Sequence, residues 1–421
     1  MSTIGSNSED LILNADGGSS TIKLKINGTE KASVSSAGAF TSTTIDATKL
    51  TGNLPAISAA NLTAIPAANI TGTLPAISGA SLTGVNAVNG GRKNMIINGG
   101  MRINQRGAGS LTINSGSLQY PCDRFAARGV SSAGVFTIEK VTDSPAGFTN
   151  SLKATVTTAD SSLSGTESYR IVQHIEGNNS YYLNWGSSDN QTATLSFKVK
   201  SSLTGTFGGV VQNGDYNRFV PFTYTISSAN TWEDKTVTIT GDTTGTYQTD
   251  TALAVRLNWS LGAAQLGTAG TYSGSALNGA TGQTQVISTN GATWQVTGVQ
   301  LELGSVATDF EYRSYGEELA LCERYYEVIT GGIGMGIVKS STAADCSFQP
   351  KVNKRAAPTI TLAGTLYAND GSAQQGASLS STGGTQDGLI VVIAFSSLNV
   401  GRACMFYTSG LDGRLIADSE L

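Results

Sequence analysis

The sequence predicts an elongated all-β molecule. Its parts are N-terminal strands, a thin repeat shaft, a jelly-roll β-sandwich, a short connector helix and a small C-terminal β-sandwich. Three observations carry this. Charged residues make up only 13% of the 421, while Gly alone numbers 51 among abundant Ser and Thr, a balance that favours turns and strands over helices. Several segments alternate apolar and polar residues with a period of two, the mark of a half-buried strand. A short phrase also repeats near the front of the chain. The length exceeds what one core sustains, so several parts are expected.

Residues 1–45 read as short strands: Leu11 to Leu13, then Ile22, Leu24 and Ile26 alternating with Lys23 and Lys25, with Asn27-Gly28 as a hairpin signal before Thr29 to Val34. Two or three strands cannot sustain a core, so something else must cover their apolar face.

Residues 46–92 contain the repeat. Leu50-Thr-Gly-Asn-Leu-Pro-Ala-Ile-Ser58 returns as Ile70-Thr-Gly-Thr-Leu-Pro-Ala-Ile-Ser78, a period of 20 residues, with Asn61-Leu62-Thr63 and Ser81-Leu82-Thr83 as echoes. Pro55, Pro66 and Pro75 exclude a continuous helix. One copy buries too little apolar area to offset the entropy of ordering it, which leaves either a flexible linker or a shaft completed by parallel copies.

Residues 93–313 carry longer strands. Ala193, Leu195, Phe197 and Val199 alternate with Thr194, Ser196, Lys198 and Lys200; Val220 to Ile226 and Leu253 to Trp259 do the same, giving half-buried antiparallel strands. Across Thr297-Gly298 the inward phase shifts, so a β-bulge at Gly298 is expected to return both Trp294 and Val296, and Val299 and Leu301, to the core. Residues 314–328 form the connector, a helix over Gly316 to Glu327 in which Tyr315, Leu319, Cys322 and Tyr326 fall at heptad spacing. Residues 329–421 read as the small terminal sandwich, with Leu389 to Phe395 as a central, doubly covered strand.

The net charge of −4 supplies no field for nucleic acid, and no apolar run is long enough for a membrane span. No export signal stands at Met1 to Asp16. Cys122, Cys322, Cys346 and Cys404 lie far apart, without a CxxC pair, and read as free thiols.

Catalysis has a thin inventory. His174 is the single histidine, and alternation with Gln173 and Ile175 turns it toward solvent or a loop. Glu139, Asp143, Glu167, Glu176 and Asp189 are available, but nothing in their spacing brings two together for glycoside hydrolysis. The loops Asn213 to Asn217 and Thr240 to Gly245 are rich in oxygen but lack an EF-hand pattern. No catalytic residue, metal or cofactor is assigned.

Several phrases resemble the tail fibres of phages and prophages, particularly those of aquatic bacteria such as cyanobacteria. Leu11 to Lys23 and Ile26 to Ser33 look like the head segment of such fibres. Asn94-Met-Ile-Ile-Asn-Gly-Gly-Met-Arg-Ile-Asn-Gln-Arg106, the Asp123-Arg124 pair and Val299 to Glu311 resemble their carbohydrate-binding-like jelly roll. Tyr315 to Tyr326 is similar to the connector and Lys354 to Thr361 to the start of the terminal domain. Phe125 stands where the resemblance leads one to expect Trp. The resemblance implies a homotrimer in the virion. Its N-terminal segment would attach to a tail or baseplate protein, and its outer domains would bind a host surface polysaccharide, after synthesis in the host cytoplasm and release by lysis. Two other roles stay open: a glycan-degrading fibre, although the long parallel β-helix usual in such enzymes has no counterpart repeat here, and a spacer carrying a separate receptor-binding protein.

Sugar binding needs a flat aromatic face against the ring and short polar groups for its hydroxyls. Tyr181, Tyr182 and Trp185, with Asn184 and Asp189, have that mixture in a loop-like stretch; Tyr367, Asn369, Asp370 and Tyr407 form a rival set at the tip. Trp259 and Trp294 are assigned to the core by strand parity.

Overall fold

The computed structural model describes residues 22–26, 29–35, 37, 40–42, 92–130, 133–371, 374–394, 398–408 and 413–421. The strand expected at Leu11 to Leu13 and the 20-residue repeats lie outside them, as does the whole of 46–92 apart from Arg92. The chain divides into two compact units, Met1–Gly84 and Val85–Leu421.

In the first unit, β1 (Ile22–Ile26), β2 (Thr29–Val34) and β3 (Phe40–Ser42) make a three-stranded antiparallel sheet. Ile26 pairs with Thr29, as a two-residue hairpin connection requires. Leu24 is exposed, in keeping with a sheet too small to bury its own apolar face.

The second unit opens with an antiparallel sandwich. Its strands are β4 (Leu111–Ile113), β5 (Gln119–Cys122), β6 (Phe125–Val130), β7 (Val135–Val141), β8 (Ser151–Thr158), β9 (Ser168–Glu176), β10 (Ala193–Ser201), β11 (Gly205–Asn213), β12 (Phe219–Ile226), β13 (Glu233–Ile239), β14 (Leu253–Ala263), β15 (Leu266–Gly267), β16 (Gly279–Ala280) and β17 (Thr293–Leu303). One six-stranded sheet runs β13-β10-β17-β8-β7-β4 and the other β12-β11-β14-β9-β6-β5, while β15 and β16 form a separate parallel pair. The inward residues of alternating strands meet between them: Leu195, Phe197, Tyr224, Leu257 and Val296 are buried around Trp259 and Trp294, whose rings lie 6.4 Å apart. The Trp294 indole N–H donates to the Tyr224 hydroxyl at 2.9 Å, so the one polar atom of that side chain is satisfied inside the core. Phe125 is fully buried 6.3 Å from Trp259 and fills its place as a core residue.

The bulge at Gly298 is present. Ser196 pairs with Gln300 and Lys198 with Thr297, so two residues oppose Phe197, and Gly298 takes φ +61°. A Cβ there would meet the Phe148 ring at 2.8 Å, a second reason for glycine.

The two phrases most specific to the resemblance turn out to be joined. Met95 N–H donates to the Leu301 carbonyl and Val299 N–H to the Gly99 carbonyl, while Glu311 accepts from the backbone N–H of Lys93 and Asn94. Asn98, at φ +61°, gives its amide to the Ile103 and Asp123 carbonyls. The motif is a clamp that closes the base of the sandwich.

Helix α1 (Tyr315–Glu323) is capped by the Ser314 hydroxyl, which accepts from Glu317 N–H. It ends before the expected Glu327, because Tyr325 is buried against Ile97 and Ile103 and Tyr326 enters a strand. Of the heptad positions, Cys322 packs inward with Leu319, whereas Tyr315 is exposed beside Arg102.

The terminal region corrects the expected second sandwich. Its strands are β18 (Tyr326–Ile329), β19 (Gly332–Ser340), β20 (Ala343–Phe348), β21 (Thr359–Ala363), β22 (Leu366–Asn369), β23 (Gln374–Gly384), β24 (Leu389–Ala394), β25 (Ala403–Thr408) and β26 (Arg414–Asp418). Six of them close into a barrel, β19-β20-β24-β23-β22-β25, and β18-β26-β21 form a separate sheet. Glycines in β19 allow the closure: a Cβ on Gly334 or Gly336 would fall 2.6 or 1.7 Å from a β20 carbonyl oxygen. In β24, Val391 and Ile393 are buried but Val392 and Ala394 only partly, so that strand has one inward face rather than two covered ones. Phe395, expected to end it, lies outside the described residues.

The region after the helix and the sandwich share buried polar contacts. Glu176 accepts from Arg324 at 2.5 Å and from the Tyr325 hydroxyl at 2.6 Å, and Arg124 pairs with Glu420. Arg355 donates to the carbonyls of Thr251 and Ser419. Of the two surroundings expected for His174, solvent or a loop, it has the second. It does lie on the outer face of its sheet, but Leu421 covers it, with Nδ1 2.8 Å from the Leu421 carbonyl oxygen. Ala254, Arg256, Asn258 and Ser260 are also buried on the face of β14 expected to be wet, and Gln283 covers Ser260, donating to its hydroxyl at 2.8 Å.

Candidate functional site

The loop between β9 and β10 folds as two successive 3₁₀ turns, Gly177–Asn179 and Tyr181–Leu183, ended by Asn184 in the left-handed region at φ 51°. The reversal fits Asn, which tolerates that conformation. It turns Tyr181 outward, 57% exposed, and sends Leu183 and Trp185 into the core.

Tyr181 stands between two hollows. One, of about 200 Å³, is lined by Ser180, Asn184, Ser187, Tyr247 and Gln248 as well as Trp185. The other, of about 220 Å³, is lined by Asn94, Asn178, Asn179, Tyr182 and Arg313. Each therefore pairs an exposed phenol face with amide or hydroxyl side chains, the combination a pyranose ring and its hydroxyls require.

The five residues expected here are divided by the fold. Tyr181 and Asn184 share the first hollow; Tyr182, half-buried on the core, belongs to the second, and desolvation pushes its phenol up to about 12. Trp185 is a floor rather than a platform, since its indole N–H donates to the Gln191 carbonyl at 2.7 Å and its ring meets Tyr247 edge-on. Asp189 is exposed and lines neither hollow.

In the barrel, Tyr367 and Tyr407 face each other across β22 and β25 and stack at 5.8 Å. Exposed Met335, Ile337 and Met405 lie on the neighbouring strands, so this patch is apolar. Asn369 and Asp370 do not extend it: Asn369 Oδ1 accepts from Gly371 N–H, and buried Asp370 accepts from Asn399 at 2.9 and 3.0 Å.

A third aromatic hollow was not read from the sequence. Phe148, Phe310 and Tyr312 pack at 5.0 to 5.6 Å and line about 110 Å³ with Arg102 and Glu318. Phe310 falls in the Val299 to Glu311 phrase, but nothing local joins it to Phe148.

The carboxylates considered for hydrolysis are mostly engaged. Glu176 is held by Arg324 and Tyr325, Asp143 by Lys200, and Glu167 accepts from Ser164. In the oxygen-rich loops, Arg218 grips Asp242 through two N–H donors at 2.6 and 2.7 Å, the place a cation would take.

No protein-family model matches the chain, and no curated protein matches it. Solved structures similar to it include the enzymatically active domain of tailspike protein 4 of bacteriophage CBA120, at 14% identity and TM-score 0.26, covering 50% of this chain and 21% of that one. A family 4 carbohydrate-binding module shares 17% identity at TM-score 0.25, over 50% of this chain and 99% of the module. A family 11 module from Clostridium thermocellum, solved with a mixed-linked tetrasaccharide, shares 10% identity at TM-score 0.24, over 48% and 99%. Likeness at this level assigns no activity to the chain.

Proposed function

We propose that the chain is a non-enzymatic, homotrimeric receptor-binding fibre of a phage tail, whose sandwich adheres to a host surface polysaccharide. The observation that carries the reading is Tyr181, an exposed aromatic face raised between two hollows lined with amides and hydroxyls. The fibre-like phrases at Asn94 to Arg106 and Val299 to Glu311 support the phage setting. Three such sites on one stalk raise avidity by effective concentration, so a modest single-site affinity suffices.

The test is competition of phage adsorption by the purified full chain. Point variants are used because the sandwich and the region after the helix share buried contacts. Tyr181→Ala is expected to weaken competition about tenfold, the loss of one stacked ring. Unchanged competition by Tyr181→Ala with loss on Tyr367→Ala would move the site to the barrel, and no competition by the wild-type chain would leave it a spacer. Oligosaccharide release from the bound polysaccharide would make it an enzyme.

A further inference from the structure

The outer face of the sheet containing β9 and β14 carries an arrangement that the fold alone does not require. Its register aligns three rows across neighbouring strands. Gln212, Arg256 and His174 form one; Val210, Asn258, Val172 and Ala126 the next; Gly208, Ser260, Arg170 and Arg128 the third. Two buried arginines thus flank a row of small or neutral residues, and half-exposed Arg128 stands beside Arg170.

These arginines have no acid. Among the described residues, none of Arg128, Arg170 and Arg256 takes part in an ion pair. Arg256 is 4% exposed and Arg170 7%; Arg170 Nη1 donates to the Asn278 amide oxygen, but Nε and Nη2 of Arg256 and Nε of Arg170 lack a hydrogen-bond partner. Burial, followed by the charges of Arg256 and Arg128, pushes Arg170 down to about 9. A buried guanidinium without a counter-charge is costly, and like charges nearby add to the cost.

The same face holds unused acceptors. Asn258 Oδ1 and Gln212 Oε1 are buried without a donor. At its edge, Tyr216 is 49% exposed, lies 5.5 Å from the Arg256 guanidinium, and holds φ +56°, a backbone state that a bulky residue adopts at a cost. A ligand that satisfies all of this carries a carboxylate for the guanidinium N–H groups, hydroxyls for the two amide oxygens, and an apolar ring face for the phenol.

We propose that this face is a second binding site of the sandwich and that it takes a carboxylated sugar. In it, Arg256 and Arg170 grip the carboxylate, Asn258 and Gln212 accept from hydroxyls, and Tyr216 packs on the ring. The proposal rests on the reading of the sandwich as a glycan-binding module and adds the chemical class of the glycan. The chain as a whole is acidic, so the attraction is local to this face.

Calorimetric titration of the full chain tests it, with polygalacturonate, alginate, hyaluronate and polysialate as carboxylated probes. Methyl-esterified polygalacturonate, neutral galactan, dextran sulfate and single-stranded DNA serve as controls. At least one carboxylated polymer is expected to bind, with affinity falling about tenfold or more on esterification and on Arg256→Met or Arg170→Met. Half-exposed Arg128→Gln is expected to weaken binding less and to reduce its salt dependence. Esterification needs no variant, so the test survives a misfolded mutant. Equal binding of ester and free acid, or tighter binding of dextran sulfate or DNA than of any polyuronate, overturns the proposal. Binding of neutral galactan alone, lost on Tyr181→Ala, also overturns it while leaving the broader reading intact. Failure to bind any carbohydrate defeats that broader reading as well.

Discussion

Two ends of one sheet face treat arginine in opposite ways. Toward the region after the helix, Arg124 and Arg106 meet Glu420 and Asp123, with Tyr325 and Tyr326 beneath their guanidinium planes at 3.5 and 3.6 Å. A few rows away, Arg170 and Arg256 are buried to a similar degree with no acid at all. Burial alone therefore says little about an arginine's task. Where a carboxylate from elsewhere in the chain completes the pair, the arginine joins two parts of the molecule; where none does, the guanidinium is left to an amide or a phenol and stays open to an anion from outside.

The sharpest way to break this contrast is to strand a charge at the paired end. Glu420→Gln leaves Arg124 buried without its acid and is expected to destabilise the Val85–Leu421 unit by about 3–5 kcal/mol, read by denaturant unfolding. An unchanged midpoint would show that the pair is not what joins the region after the helix to the sandwich.

A smaller effect sits between the two ends, at His174. Burial first, then the charges of Arg256 and Arg124, hold its imidazole down to about 3, so it is neutral in the folded protein. Its ordinary value is near 6.5, and the unfolded chain therefore takes up the proton first. The stabilisation is complete above about pH 6.5 and is lost as pH falls toward 3. Lowering the pH from 7 to 5 is expected to destabilise the wild type by about 2 kcal/mol more than His174→Gln. Parallel pH profiles of the two proteins would remove His174 from the account.

The smallest effect has the opposite sign. Arg256→Met keeps the buried stem and removes the unpaired charge, so the ligand-free protein is expected to gain about 1 kcal/mol. A loss of stability similar to that of Glu420→Gln would mean that the contact of Arg256 with Tyr216 helps hold the fold.

The strand pattern was legible because parity is a local property. Leu195 and Phe197, Phe222 and Tyr224, and the phase shift at Gly298 all announce their burial within a few residues. Parity also placed His174 on the outer face, but its cover is Leu421, 247 residues away, and no local signal reports that. Alternation is equally blind to whether a set of strands closes, so barrel and sandwich look alike until the crowded glycines of β19 are seen in place. Tyr181 was legible as an aromatic beside amides, whereas the inward turn of Trp185 depends on the reversal at Asn184. Arg128, Arg170 and Arg256 come together only through the register of β6, β9 and β14, which separate stretches of sequence do not contain.

The docking of Ser419 to Leu421 against the sandwich also fixes an order of events during synthesis. Every strand of the sandwich has left the ribosome once Leu303 has emerged, yet Arg124 meets Glu420, and His174 meets Leu421, only when those residues follow. Until then a nearly complete sandwich carries an open, charged seam, which Glu420 and Leu421 close.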